Sequence, residues 1–213
     1  MRLILVRHFR TQSNEARRIM GWGDAPPASD WESDLLDVDH CLMDRGLVFD
    51  AIHSSDLGRA RNTALYYARS RGRDAVESHV AFNEINYGEL FGLDKDEVTQ
   101  AYPQFKQDPD YVFPGGESFR QMQARCLAQL LDMAADHPTH TLLLVAHAGV
   151  IRALVCHLQG LDLASNLRRK ISHRYIGDFR FEGRLCTYYD ELGQPSGFVR
   201  DGILTLPWTA PAS

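Results

Sequence analysis

Hydrophobic positions follow two rhythms along this chain. Short strand-type runs occur at residues 3–6, 51–54, 75–77 and 141–146. The first (Leu3, Ile4, Leu5, Val6) and the last are continuously apolar, as strands covered on both faces are. Elsewhere the spacing lengthens to about 3.6 residues. After Asp56 the apolar positions are Leu57, Ala60, Ala64 and Ala68; after Ser118 they are Phe119, Met122, Cys126, Leu130 and Met133. Ser118 followed by Gln121 fits a capping box, and Pro138 ends that helix. Shorter helices are predicted around 14–20, 94–101 and 150–158, the last two stopping before Pro103 and Gly160. Runs 175–181 and 185–189 bracket Glu182, Gly183 and Arg184, a hairpin signal. Alternating strands and helices predict a layered α/β fold. With no linker or repeat in view, one domain is expected over 1–206, followed by a frayed tail at 207–213.

Composition narrows the picture. The chain has 213 residues, a net charge of −5 and 44% hydrophobic content. That balance gives no general electrostatic case for nucleic acid or membrane as partner. No stretch approaches the ~18 apolar residues that span a bilayer, and the opening apolar run is too short for a secretory signal. A soluble cytoplasmic protein is the expectation. Cys41, Cys126, Cys156 and Cys186 form no CxxC pair, so neither a zinc ribbon nor a redox dithiol is indicated. Lysine is scarce: only Lys95, Lys106 and Lys170.

Candidate chemistry gathers at strand ends. Arg7 and His8 follow the first apolar run, and His147 follows the last. In an open parallel sheet, ligands bind at that edge. An arginine there suits phosphate or carboxylate, and an imidazole beside it can attack phosphorus. Thr11 and Asn14 lie in the turn that opens the next helix, where short polar groups and N–H donors face an anion. Arg59 and Arg61 are two apart, hence about 200° apart on a helix; one faces the sheet edge, and spacing does not choose which. Between Asn83 and Gly92 a glycine-containing loop offers Glu84 and Glu89, one of which could serve as general acid and base. Ala148 and Gly149 after His147 permit close backbone approach to a ligand.

Taken in order, Arg7-His8-x-x-Thr11-x-x-Asn14, Ser54-Ser55-x-Leu57-x-Arg59-Ala60-x-x-Thr63-Ala64, Glu84 ahead of Gly88 and Gly92, and His147-x-Gly149-x-x-Arg152 resemble the histidine phosphatase superfamily, phosphoglycerate-mutase-like branch, over residues 2–190. The resemblance implies a three-layer sandwich, its mostly parallel central sheet carrying helices on both faces. It also implies that His8 is the nucleophile, that Arg7, Arg59 and His147 hold phosphoryl oxygens with help from Asn14, and that Glu84 is the acid and base. Thr11, Ala148, Tyr87 and Arg10 are further candidates for the phosphate or substrate site. A small phosphorylated substrate is implied as partner, and neither metal nor other cofactor is expected. No Asp, Glu and His spacing for a metal stands out.

Two departures bear on the substrate. Phe9 and Arg10 replace the family's glycine and acidic residue: Phe9 is expected to crowd or line the entrance, and Arg10 either contacts an anion or points to solvent. An acidic stretch, Asp30 to Asp39, replaces the usual turn. Ile85 stands where mutases hold the substrate carboxylate with arginine, and the mutase insertion is missing. A phosphatase is therefore expected, with mutase as alternative and a non-catalytic phospho-ligand binder as a further one.

Overall fold

The computed structural model describes residues 1–192; the expected tail at 207–213 and the domain end at 206 lie outside them. Six strands form one sheet in the order β3-β2-β4-β1-β5-β6. β1 (Arg2–Arg7), β2 (Ala51–Ser55), β3 (Glu77–His79) and β4 (Thr141–Ala146) run parallel, and β5 (Ile176–Glu182) and β6 (Leu185–Glu191) add an antiparallel hairpin beside β1. Gly183, at φ 57, makes that hairpin's turn, a left-handed position that a Cβ disfavours.

Alternation along β1 and β4 explains the layers. Leu3, Leu5, Leu142 and Leu144 face one core with α5 (Phe119–Asp136) and α6 (Ala148–Leu158). Ile4, Val6, Leu143 and Val145 face the other with α2 (Trp31–Asp44) and α3 (Gly58–Arg69). Both sheet faces are thus covered, as the uninterrupted apolar runs require. Two small helices, α4 (Lys95–Ala101) and α7 (Leu163–Asn166), lie at the periphery.

Three local expectations change. The helix over 14–20 shrinks to α1 (Gln12–Glu15), because Arg17 takes a left-handed φ of 54 and the turn cannot continue. The strand at 75–77 moves to Glu77–His79. The acidic stretch, to which the sequence assigned no element, forms most of α2, whose buried face carries Leu35, Val38 and Leu42 together with Asp34 and Asp39. Those two carboxylates accept from arginines: Asp34 from Arg10 and Arg174, Asp39 from Arg71.

Candidate active site

β1 and β4 are neighbours, with Arg7 in register with Ala146. The next residue of each strand is a histidine, so His8 and His147 meet beyond the sheet edge with ring centroids 5.1 Å apart. His8 is buried, and its amide donates to the Ala146 carbonyl at 3.0 Å. Its Nδ1 lies 2.5 Å from the Phe9 carbonyl. A carbonyl can only accept, so Nδ1 carries the proton and Nε2 keeps its lone pair. Burial, and then the charges of Arg59 and neighbouring groups, hold the His8 pKa well below the ordinary 6.5. The ring is therefore neutral near pH 7, with an unprotonated Nε2.

His147 is held from the opposite side. Its Nε2 is 2.5 Å from Ser55 Oγ, which in turn accepts from the Leu57 amide at 3.4 Å. With Ser55 donating, the His147 proton sits on Nδ1, a buried atom with no protein partner among the described residues. Burial keeps this ring neutral as well.

The arginines are oriented by carbonyl oxygens. Arg7 donates to Ile171 O at 2.5 Å, leaving a buried Nε without protein partner among the described residues. Arg59 donates to Gly21 O at 2.8 Å and Gly23 O at 2.6 Å, and its Nε is likewise unpartnered. Arg152 donates twice to Arg169 O. Desolvation lowers the pKa of all three, that of Arg7 to about 10. They remain cationic at neutral pH, in an environment that favours an incoming anion.

Glu84 reaches the same cavity from the loop after β3. Its carboxylate accepts from the Ile85 amide at 3.0 Å and the Gly149 amide at 3.1 Å. A Cβ on Gly149 would stand 2.2 Å from Glu84 Oε1, so only glycine lets α6 approach this closely. The Glu84 carbonyl accepts from Trp22 Nε1 and Arg125, which fixes the backbone beneath the carboxylate.

Asn14, Tyr87 and Ala148 also line the cavity. Thr11 does not; it is buried as the N-cap of α1, exchanging hydrogen bonds with Asn14. Arg10 takes neither course left open for it: it is turned away from the cavity and bonded to Asp30 and Asp34. Nor does Phe9 line the entrance: it is buried in the core on the α2 side, 5.1 Å from the Trp31 ring. Arg59 faces the cavity and Arg61 does not.

The sequence reading missed Arg18 and Lys106 and gave Arg152 only as a motif position. Together with Lys95 they line the cavity beside Arg7 and Arg59, against one carboxylate among the described residues, Glu84. Lys106 holds a left-handed φ of 55, and burial lowers its pKa to about 8. Scarcity was a usable signal, since two of the three lysines converge here. His173, which donates from Nδ1 to the His8 carbonyl at 2.9 Å, left no periodic trace. Outside the cavity, His53, Glu77 and His79 form a metal-capable cluster where none was expected; it joins two strands, which spacing along the chain does not reveal.

Residues 3–188 match the histidine phosphatase superfamily (branch 1). The 2,3-bisphosphoglycerate-dependent phosphoglycerate mutase of Bartonella tribocorum is 31% identical, over 75% of this chain and 82% of its own. Among solved structures, Bacillus stearothermophilus YhfR superposes with a TM-score of 0.78 at 26% identity, covering 87% of this chain and 93% of its own. The mycobacterial glucosyl-3-phosphoglycerate phosphatase complexed with VO3 does so at 0.73 and 25%, covering 84% and 92%. An alpha-ribazole phosphatase from Shigella flexneri, at 22% identity and TM-score 0.78 over 91% of this chain and 96% of its own, shares the fold. With nearly every described residue inside the family's span, and relatives of this identity over three quarters of its length, the chain belongs to the histidine phosphatase superfamily, branch 1.

Proposed function

We propose that the chain is a metal-independent phosphomonoesterase that works through a phosphohistidine at His8 on a small phosphorylated metabolite. The observation that carries this reading is the neutral His8 ring, its Nδ1 proton tied to the Phe9 carbonyl and its Nε2 free. In the first step a His8 Nε2–P bond forms while the ester P–O bond breaks. Glu84 gives a proton to the leaving oxygen. Three cavity residues present buried donors that lack protein acceptors among the described residues, Arg7 Nε, Arg59 Nε and His147 Nδ1, and these fit the equatorial phosphoryl oxygens. In the second step water attacks phosphorus, Glu84 takes its proton, the N–P bond breaks and phosphate leaves. The four cysteines are free, which fits a reducing cytoplasmic compartment.

A mutase is the second reading, and a particular observation favours it. The absence of a carboxylate clamp was inferred from Ile85, yet Ile85 is buried in the core on the α5 side, and Lys95, Lys106 and Arg152 line the cavity instead. These cations can hold a second anionic group on the substrate. Phosphatase remains the better reading because Ile85 stands where a carboxylate-binding arginine is expected of a mutase, and because the glucosyl-3-phosphoglycerate phosphatase resembles the chain in structure.

Acid quenching with labelled substrate should trap an acid-labile, base-stable phosphoenzyme. A metabolite panel, with 3-phosphoglycerate plus bisphosphoglycerate as control, separates the two readings. Steady hydrolysis without phosphoenzyme would sink the His8 assignment. Interconversion of 3- and 2-phosphoglycerate faster than phosphate release would replace phosphatase by mutase.

A further inference from the structure

The sheet edge farthest from the β5–β6 hairpin holds a second concentration of histidines. In the parallel pairing of β2 with β3, His53 is in register with Glu77 and Ser55 with His79. Strand side chains alternate with period two, so Glu77 and His79 project on the face that His53 uses. His53 Nδ1 lies 3.0 Å from His79 Nε2 and 3.7 Å from Glu77 Oε2. All three candidate ligand atoms fall within 4.8 Å of one another. In a tetrahedral zinc site with bonds of about 2.0–2.1 Å, ligand atoms stand roughly 3.3–3.4 Å apart. The observed separations bracket that value.

We infer that His53, Glu77 and His79 form a divalent transition-metal site, suited to zinc, that staples β2 to β3 outside the catalytic cavity. Two imidazoles and one carboxylate are an ordinary zinc donor set, and a fourth position is available to water. His53 is buried while the Glu77 side chain is 67% exposed, so an ion enters from the solvent side without passing through the core. A proton shared between the two rings accounts for the 3.0 Å separation. It gives no role to the nearby Glu77 carboxylate. His137, whose ring is 6.4 Å from that of His53, and His140 stacked on it form an adjacent pair.

The position gives the staple a reach into the active site. Ser55, which orients His147, is two residues beyond His53. Glu84 is five residues beyond His79, across the 3₁₀ turn Val80–Phe82. A metal here ties the roots of both catalytic supports to each other and contributes nothing to the phosphoryl chemistry itself.

The test is calorimetric titration of the chelator-stripped full chain with zinc chloride, together with thermal melting. One equivalent should bind, and Tm should rise by roughly 5–10 °C at free zinc about 100-fold above Kd. Glu77→Ala and His79→Gln, neither altering a fully buried residue, should each weaken binding by at least about tenfold. Both stripped variants should hydrolyse p-nitrophenyl phosphate like stripped wild type. No zinc uptake, or uptake that survives both substitutions, overturns the site. Uptake that depends on Glu77 and His79 but abolishes hydrolysis on removal overturns its non-catalytic character.

Discussion

Two sets of arginines lie close together here and are held in opposite ways. Arg7, Arg59 and Arg152 point into the cavity and donate mainly to carbonyl oxygens, the one carboxylate contact being the long 3.4 Å approach of Arg59 to the half-exposed Asp24. Arg10 and Arg174, on the α2 side of the sheet edge, donate to Asp34, and Arg174 also pairs with Asp37. Burial lowers the pKa of the first set. Hydrogen bonds to Asp34 raise that of the second. A carbonyl fixes a guanidinium in direction without cancelling its charge, whereas a carboxylate does both. The first set stays available to an anion, and the second fastens loop to helix. Residue type and proximity to His8 did not separate Arg7 from Arg10; the acceptor did.

The sharpest break of this contrast is at His8, around which the first set is arranged. His8→Ala should drop turnover by about 10⁴-fold or more and remove the phosphoenzyme, as loss of a covalent nucleophile does. Folding should persist by circular dichroism. Next comes a matched pair. Arg59→Met should lower kcat/KM by about 10²–10³. Arg10→Met should leave kcat/KM within about twofold and lower Tm by roughly 2–6 °C, for about 1–2 kcal/mol of lost charge-assisted hydrogen bonding. Equal kinetic losses in the two variants would erase the distinction.

Glu84→Gln should slow an alkyl phosphate by about 10²-fold or more while p-nitrophenyl phosphate, whose leaving group needs little protonation, loses far less. Burst measurements of phosphoenzyme formation decide the matter, and equal losses would remove Glu84 from the acid role.

The smallest expected effect is on stability against pH. His8, His147, His53 and His173 all have folded pKa values below 6.5, with His53 and His173 near 4. Below pH 6.5 the unfolded chain therefore binds more protons than the folded one. Stability from these rings is full above that pH and declines as pH falls toward 4. Urea midpoints measured from pH 7 to pH 4 should decrease steadily, and a flat profile would mean that the rings are protonated in the fold. Phosphoenzyme formation should show no acid limb near 6.5, since His8 is already neutral there.

The fold was legible where one physical cause dominated. β1 and β4 are covered on both faces, so their apolar runs are continuous and their ends unmistakable; His8 and His147 followed from that. Ser118 and Gln121 marked the start of α5 because a capping box is local chemistry. α2 was missed because Asp34 and Asp39 occupy core-facing positions beside Leu35, Val38 and Leu42, and carboxylates there disguise the 3.6 period. Their partners Arg10, Arg174 and Arg71 are distant in sequence, and nothing local announces them. Lys106 and Arg152 reach the cavity through long side chains from elements whose placement only the tertiary fold sets. Arg59 was told from Arg61 by family likeness, since helical spacing alone left both open.

The place of β1 in the sheet has a consequence for how activity first appears. β1 lies between β4 and β5, and its pairing partners begin at Thr141 and Ile176. Every hydrogen-bonded neighbour of the strand that delivers His8 is therefore made more than 130 residues later. Closing such distant pairs is entropically slow. An elongating chain carries His8 well before it can set it beside His147, which lies 139 residues further on. Catalytic competence and completion of the central sheet should thus arrive in one event, late in folding, and a partly folded intermediate would hold a nucleophile with no site around it.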